Sequence, residues 1–187
     1  MERCAIVLIE GIYLGYRIKV MTLEEYSALI ENAFKMQDWN YSKNDIKDGI
    51  VFKIDFWRNE EYYTKCRVFV YKSGICDMEA SLPFKCPKEV DVGIELSYFL
   101  SCCNYAKRYA TIRYNFTDGE IVNSYSFDIV PSMTSEFILS KFNVVKDIDE
   151  DDYNYIENLC KSQDARETQS VELSKIMKKE DKYKIDL

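Results

Sequence analysis

RYATIRYNFTDGEIVNSYSFDIV, residues 108–130, consists of two alternating segments joined by Asp118-Gly119. Asp-Gly suits a two-residue type I′ turn, because both turn residues need φ > 0. A turn fixed there pairs Phe116 with Ile121, Tyr114 with Asn123, Ile112 with Tyr125 and Ala110 with Phe127. Opposed residues share a face, so the apolar side chains gather on one side. Thr111, Arg113, Asn115, Val122, Ser124 and Ser126 fall on the other. Turn chemistry and alternation agree independently on a β-hairpin with one core-facing side.

Working outward, three longer alternating segments precede this hairpin. The first places Ile50, Phe52, Ile54 and Phe56 on one face, the second Tyr62, Thr64, Cys66, Val68 and Val70, and the third Cys76, Met78, Ala80 and Leu82. A two-residue turn at Ser73-Gly74 would oppose Val70 with Asp77 and mix the faces. A three-residue loop, Lys72-Ser73-Gly74, instead opposes Val70 with Cys76 and Val68 with Met78, with Gly74 in the left-handed position. The same logic requires an odd-numbered loop around Asn59. The unit is an antiparallel meander with one buried face. Trp39 and Tyr41 suggest a short strand before it, 44–49 a loop, and Pro83 and Pro87 the end of the sheet.

Helical segments separate these pieces. Thr22-Leu23-Glu24-Glu25 is a capping box opening a helix that ends near Gln37, with Leu23, Tyr26, Leu29 or Ile30, Ala33 and Phe34 as its apolar stripe. Residues 88–105 form a second helix, with Val92, Leu96, Phe99, Leu100 and Cys103 at helical spacing. Beyond Pro131, Ser132 or Thr134 caps a third containing Phe137, Ile138 and Phe142. The pattern breaks near Asp147, and Asp149 caps a further piece carrying Tyr155, Ile156 and Leu159. The fold class is α+β: an antiparallel sheet, meander plus hairpin, with helices packed on it in the order α-β-β-β-β-α-β-β-α. Residues 1–21 read as an extended segment or an added strand, 22–160 as the α+β domain, and 161–187 as a charged helical extension or tail.

Composition excludes several functions. The 187 residues are 47% apolar and 30% charged, with net charge −7, which argues against nucleic acid and against anionic lipid as partners. The apolar run at residues 4–9 is too short for a bilayer, and no basic region or cleavage site marks a signal peptide, so the expected location is the cytoplasm. Histidine is absent, which removes the commonest general base and most catalytic zinc sites. No glycine-rich phosphate loop occurs. The seven cysteines are odd in number and none is spaced Cys-x-x-Cys, so reduced, largely buried thiols are expected. Cys102-Cys103 is a vicinal pair whose redox role is the weaker reading. No cofactor and no metal are expected. The acidic run Asp147, Asp149, Glu150, Asp151 and Asp152 lacks the Gly and Glu of an EF-hand loop and reads as helix-start electrostatics.

Phe99-Leu100-Ser101-Cys102-Cys103-Asn104-Tyr105, followed by 109–116, Asp118-Gly119-Glu120-Ile121 and 125–129, is a helix ending at Asn, a strand, an acidic-Gly turn and a second strand. This half resembles the C-terminal half of the YbjN family of bacterial proteins, which has a type III secretion chaperone-like fold. The strand ending Leu82-Pro83 and the helix before the meander look like that family's N-terminal half. The resemblance covers roughly residues 23–160 and lies at the level of the fold, not of a motif. It implies no enzyme and carries over no catalytic residues; some members are described as putative sensory transduction regulators.

The candidate site is the outward face of the meander, where Val51, Trp57, Tyr63, Phe69, Tyr71 and Ile75 oppose the core face. An exposed apolar patch on a sheet marks an interaction surface, unless residues 1–21 or a second subunit cover it or its members are half-buried packing residues. The expected function is a non-enzymatic protein-binding, regulatory or chaperone-like module that engages a protein or peptide segment and forms a homodimer. The alternative is a small-ligand sensor or enzyme using Asp, Glu or Lys in a helix–sheet cleft, with Asp55 and Glu79, or Asp77 and Glu79, as conceivable carboxylate pairs. Solvated charges on a polar sheet face are the ordinary account of those pairs.

Overall fold

The computed structural model describes residues 3–9, 12–18, 21–57, 63–107 and 110–161, with side chains from residue 21 onward. Strands β1 (Arg3–Ile9) and β2 (Ile12–Ile18) pair with each other as a two-stranded antiparallel sheet. There follow α1 (Leu23–Lys35), β3 (Ser42–Ile46), β4 (Gly49–Trp57), β5 (Tyr63–Tyr71), β6 (Ile75–Lys85), α2 (Val90–Ala106), β7 (Thr111–Tyr114), β8 (Glu120–Asp128), α3 (Ser135–Lys146) and α4 (Glu150–Lys161). Strands β3 to β8 form one antiparallel sheet ordered β3-β4-β5-β6-β8-β7, which contains neither β1 nor β2. The protein is therefore α+β. The expected order is found from α1 to α3, with α4 beyond it. The charged segment beyond Lys161, Arg108 and Tyr109 of the quoted stretch, Tyr62 and Asn59 lie outside the described residues.

Both halves of the sheet bury the same face. Ile50, Phe52 and Ile54 of β4, Cys66, Val68 and Val70 of β5, and Cys76, Met78 and Ala80 of β6 pack against α1 and α3. Leu82, Ile112 and Ile121 pack against α2 and α4. Phe34 is the hub of the first cluster, with ring centroids 5.4 Å from Phe142, 5.5 Å from Tyr41 and 5.9 Å from Phe52. Fully burying one such ring is worth about 1.5–3 kcal/mol, against about 1 kcal/mol for a helix cap. Packing, more than local propensity, holds the helices down. The caps set their ends. Thr22 and Glu25 form the expected reciprocal capping box, Thr134 accepts from the Phe137 amide, and Asp149 accepts from the amides of Asp151 and Asp152.

The meander register is the expected one: Val70 opposes Cys76, Val68 opposes Met78, and Gly74 has φ +91°. Trp57 opposes Tyr63, which leaves an odd five residues, 58–62, between β4 and β5. The hairpin differs. Tyr114 opposes Ile121 and Ile112 opposes Asn123, two residues away from the expected pairing. Asn115 and Asp118 build a longer loop than a type I′ turn. The Asn115 carboxamide accepts from the Thr117 amide, the Asn115 carbonyl from the Gly119 amide, and the Asp118 carboxylate from the Glu120 amide. Only Gly119 of this loop has positive φ, +76°. Phe116 accordingly leaves the sheet and is exposed. A shift of two preserves the alternation, so the same side chains remain on the apolar face.

Two further boundaries move. The segment expected as a loop at 44–49 is mostly strand: β3 pairs with β4 from Ser42↔Lys53 to Ile46↔Gly49, turning at Lys47-Asp48. Trp39 and Tyr41 precede it as partly buried rings in the Phe34 cluster rather than as a strand. Pro83 does not end the third meander strand. Strand β6 runs to Lys85 through a register shift between Ser81 and Lys85, and a bulge tolerates proline because no ladder N–H is needed there.

Candidate binding face

With all four helices on one side of the sheet, its other side carries no helix among the described residues. The antiparallel register places the outward residues of β4 and β5 in rows: Trp57 with Tyr63, Asp55 with Lys65, Lys53 with Arg67, Val51 with Phe69. Strand β6 continues the middle rows with Ser81 opposite Lys65 and Glu79 opposite Arg67. The six candidate residues therefore do not form one patch. Trp57 and Tyr63 stand at one end, with ring centroids 5.5 Å apart. Val51, Phe69, Tyr71 and Ile75 stand at the other, where Phe69 and Tyr71 stack at 6.4 Å and 10°. From Trp57 to Val51 is six residues of strand, about 20 Å at 3.3–3.4 Å per residue.

The two ends differ in what they offer. Trp57 is 73% exposed, the most accessible of the six. Ile75 is exposed, and Tyr63, Phe69 and Tyr71 are half-buried. Val51 is buried at 4% exposure, so it packs the sheet and presents nothing to a partner. Burial, with the neighbouring Asp77 carboxylate that the Tyr71 hydroxyl contacts, pushes the Tyr71 hydroxyl above its ordinary value. Tyr71 is thus held as a neutral donor at the rim.

The charged middle is a network and a trough. Arg67 pairs with Glu79 at 3.2 Å and with Glu120 at 3.1 Å, Arg113 pairs with Glu79 at 3.1 Å, and the Ser81 hydroxyl donates to Glu120 at 2.8 Å. Glu79 is occupied by two arginines, and Asp55 lies across β5 from it, so neither conceivable carboxylate pair converges on a common point. Beside this network a cavity of about 970 Å³ opens, lined by Ser42 of β3, Lys53 of β4, Lys65 of β5, Lys85 of β6 and Glu120 of β8. A smaller hollow of about 390 Å³ adjoins it at Tyr63, Pro83 and Lys85. Both lie on the helix-free face, not in the helix–sheet cleft that the alternative reading requires. On the helix side, the buried Glu95 carboxylate accepts from the Tyr155 hydroxyl at 3.2 Å.

The free edges of the sheet are unequal. On β7 the Asn104 carboxamide, from the end of α2, accepts from the Ile112 amide at 2.7 Å and donates to the Ile112 carbonyl at 2.8 Å. Asn104 thereby supplies the hydrogen bonds that a further strand would make at that position. On β3, Ser42 to Asp45 are exposed, and Lys43 forms a 2.7 Å ion pair with Glu31 of α1. The hydrogen bond from Lys43 holds the Glu31 carboxyl below its ordinary value.

One surface escaped the sequence reading. On α2, Val90, Ile94, Tyr98 and Tyr105 are 55–83% exposed, and Phe116 stands beside them at the hairpin loop. The signal was present: VDVGIELSYFLSCCNYA has two charged residues in seventeen, and a helix apolar on all sides is one buried on more than one side. The thiols behave as expected of a core. Cys66, Cys76, Cys86 and Cys103 are buried, and burial pushes the Cys66 and Cys103 thiols up to about 12. No group of three or more His, Cys, Asp or Glu side chains placed to hold a metal occurs among the described residues. The acidic run at Asp147–Asp152 is used within the fold: Asp149 caps α4, Asp152 pairs with Lys107 at 3.4 Å, and Asp147 pairs with Lys146. No helix among the described residues is long and apolar enough to cross a membrane. Compared with known proteins, the chain matches no protein-family model and no curated protein.

Proposed function

We propose that this protein is a non-catalytic binding module that holds a protein segment on the helix-free face of its sheet and acts as a homodimer joined through α2. The observation that carries the reading is Trp57, 73% exposed and packed on Tyr63 at the end of a sheet face that carries no helix among the described residues. Trp and Tyr dominate binding hot spots because each buries a large rigid area at small entropic cost. Nothing in the core requires Trp57 where it stands. The order of elements from α1 to α3, with helices confined to one face, supports the same reading of a YbjN-like, type III secretion chaperone-like fold. The dimer is supported by the uncharged stripe on α2, which would leave a large apolar surface in water if the chain stood alone.

The test is a comparison of proteins co-purifying with the wild type and with Trp57→Ala from native cells, quantified by mass spectrometry. The expected result is a defined set retained by the wild type and depleted about tenfold or more in the variant, with unchanged circular dichroism. The same set retained equally by both would overturn the assignment of the binding site to this face.

A further inference from the structure

We infer that the trough across the helix-free face recognises an acidic, extended peptide segment lying diagonally across the strands. The inference rests on the partner-binding reading above and specifies the chemistry of the partner. Its basis is the residues that line the trough.

The chain as a whole carries net charge −7. The trough reverses that balance, with four cations, Lys53, Lys65, Arg67 and Lys85, against Asp55, Asp118 and Glu120. Arg67 is committed to Glu79 and Glu120. Lys53, Lys65 and Lys85 are exposed and have no ion-pair partner among the described residues; Lys65 lies over the Tyr63 ring at 5.4 Å. The register sets them on successive rows of three adjacent strands, Lys53 opposite Arg67, Lys65 between Asp55 and Ser81, and Lys85 opposite Glu120, so the three lie on a diagonal across the sheet. Ammonium groups gathered on one concave surface raise the local concentration of anions there, against the net negative charge of the rest of the chain.

Shape selects a segment over a small anion. The lining runs from Ser42 on β3 to Glu120 on β8, crossing five strands and four spacings of about 4.8 Å, or about 19 Å. An extended chain rises about 3.3 Å per residue, so a segment of at least five or six residues spans the trough. Carboxylates two residues apart on such a chain lie about 7 Å apart and can meet successive lysines. Asp55, Ser42 and Tyr63 line the same trough and carry oxygens that can accept from a peptide's amides. Trp57 and Tyr63 at the rim offer a place for one apolar side chain.

The experiment is fluorescence anisotropy of the full chain with a fluorescein-labelled (Glu-Leu)6 peptide. Comparison probes are (Lys-Leu)6, (Ser-Leu)6, a dT12 oligonucleotide and free phosphate as competitor. The expected result is binding of the acidic peptide alone, weakened at least tenfold in Lys53→Gln/Lys65→Gln/Lys85→Gln and weakened again by 0.5 M salt. These lysines are exposed, so the variant is expected to keep its thermal midpoint, which is measured alongside. Equal binding of the serine or lysine peptide, equal binding by the triple variant, tighter binding of the oligonucleotide, or displacement by millimolar phosphate would each overturn the inference. The wider reading fails separately. If native partners are lost with Trp57→Ala but retained by the triple lysine variant, the face binds and the acidic chemistry is wrong. If Trp57→Ala loses nothing, the face itself is wrong.

Discussion

At the scale of single residues, the hairpin loop shows how much one glycine fixes. Gly119 has φ +76°, and a Cβ there would stand 2.5 Å from the carbonyl oxygen of Cys86, while its own carbonyl accepts from the Cys86 amide at 2.9 Å. Gly74 also has positive φ, +91°, but the atom its Cβ would meet is the Tyr26 hydroxyl at 2.7 Å, a side-chain atom and not backbone. The two positions therefore separate conformational strain from backbone collision. Gly74→Ala is expected to cost about 1–2 kcal/mol, the left-handed penalty with a small shift of the Tyr26 ring. Gly119→Ala is expected to cost about 3 kcal/mol or more, because the β6–loop contact must also open. Urea denaturation of both variants measures the difference. Equal losses would mean that the Cys86 contact constrains nothing. Sequence pointed to both glycines, yet it assigned Gly119 the wrong loop. The Asp-Gly signal competes with the Asn115 carboxamide, and only the three-dimensional contact with Cys86 decides between the two turns.

At the scale of elements, parity was legible and register was not always so. Alternation in β4, β5, β6 and β8 identifies the buried face whether pairing slips by zero or two residues, which is why the core face was readable despite the shifted hairpin. Strand β3, Ser-Lys-Asn-Asp-Ile, has no alternation to read, because both its faces and its outer edge meet water. Charged residues on such an edge discourage unwanted strand pairing. On α2 the inward stripe was legible by its spacing, but the outward one was hidden by the same fact that makes it informative: it too is apolar. If α2 joins two copies through its exposed stripe, the interface is isologous, and Ile94 and Tyr98 lie in the middle of that stripe. Ile94→Glu places two carboxylates there while touching nothing in the monomer core, since Ile94 is 61% exposed. The expected result at tens of micromolar is a mass of twice 22.1 kDa for the wild type and 22.1 kDa for the variant, by light scattering. A monomeric wild type, or an unaltered dimer in the variant, would remove α2 from that role.

At the scale of the whole molecule, a sheet with helices on one side concentrates its burial in one layer, and this layer is rich in thiols. Cys66 and Cys76 lie against α1 and α3, Cys103 and Cys86 against the α2–α4 cluster, and Cys160 packs beside Cys86. Burial pushes Cys66, Cys103 and Cys160 up to about 12 from an ordinary value of 9.0, and Cys76 higher. The folded state therefore holds its thiols protonated while the unfolded chain ionises them above pH 9. Their contribution to stability is fully present below about pH 9 and is lost as pH rises toward 12, at up to about 1.4 kcal/mol per pH unit for each thiol. Each such thiol loses about 1.4 kcal/mol between pH 8 and pH 10, so the four together set an upper bound of about 5 kcal/mol on the combined loss. The measurement is the unfolding free energy from urea titrations at pH 7, 8, 9 and 10, for the wild type and for Cys66→Ala/Cys76→Ala. The variant starts lower, because it removes buried atoms, but its stability should fall less steeply with pH. Lysines and tyrosines that ionise in the same range are common to both proteins, so they cancel in the comparison of slopes. Parallel curves would show that these two thiols ionise as readily folded as unfolded, and that the layer beneath the helices admits water.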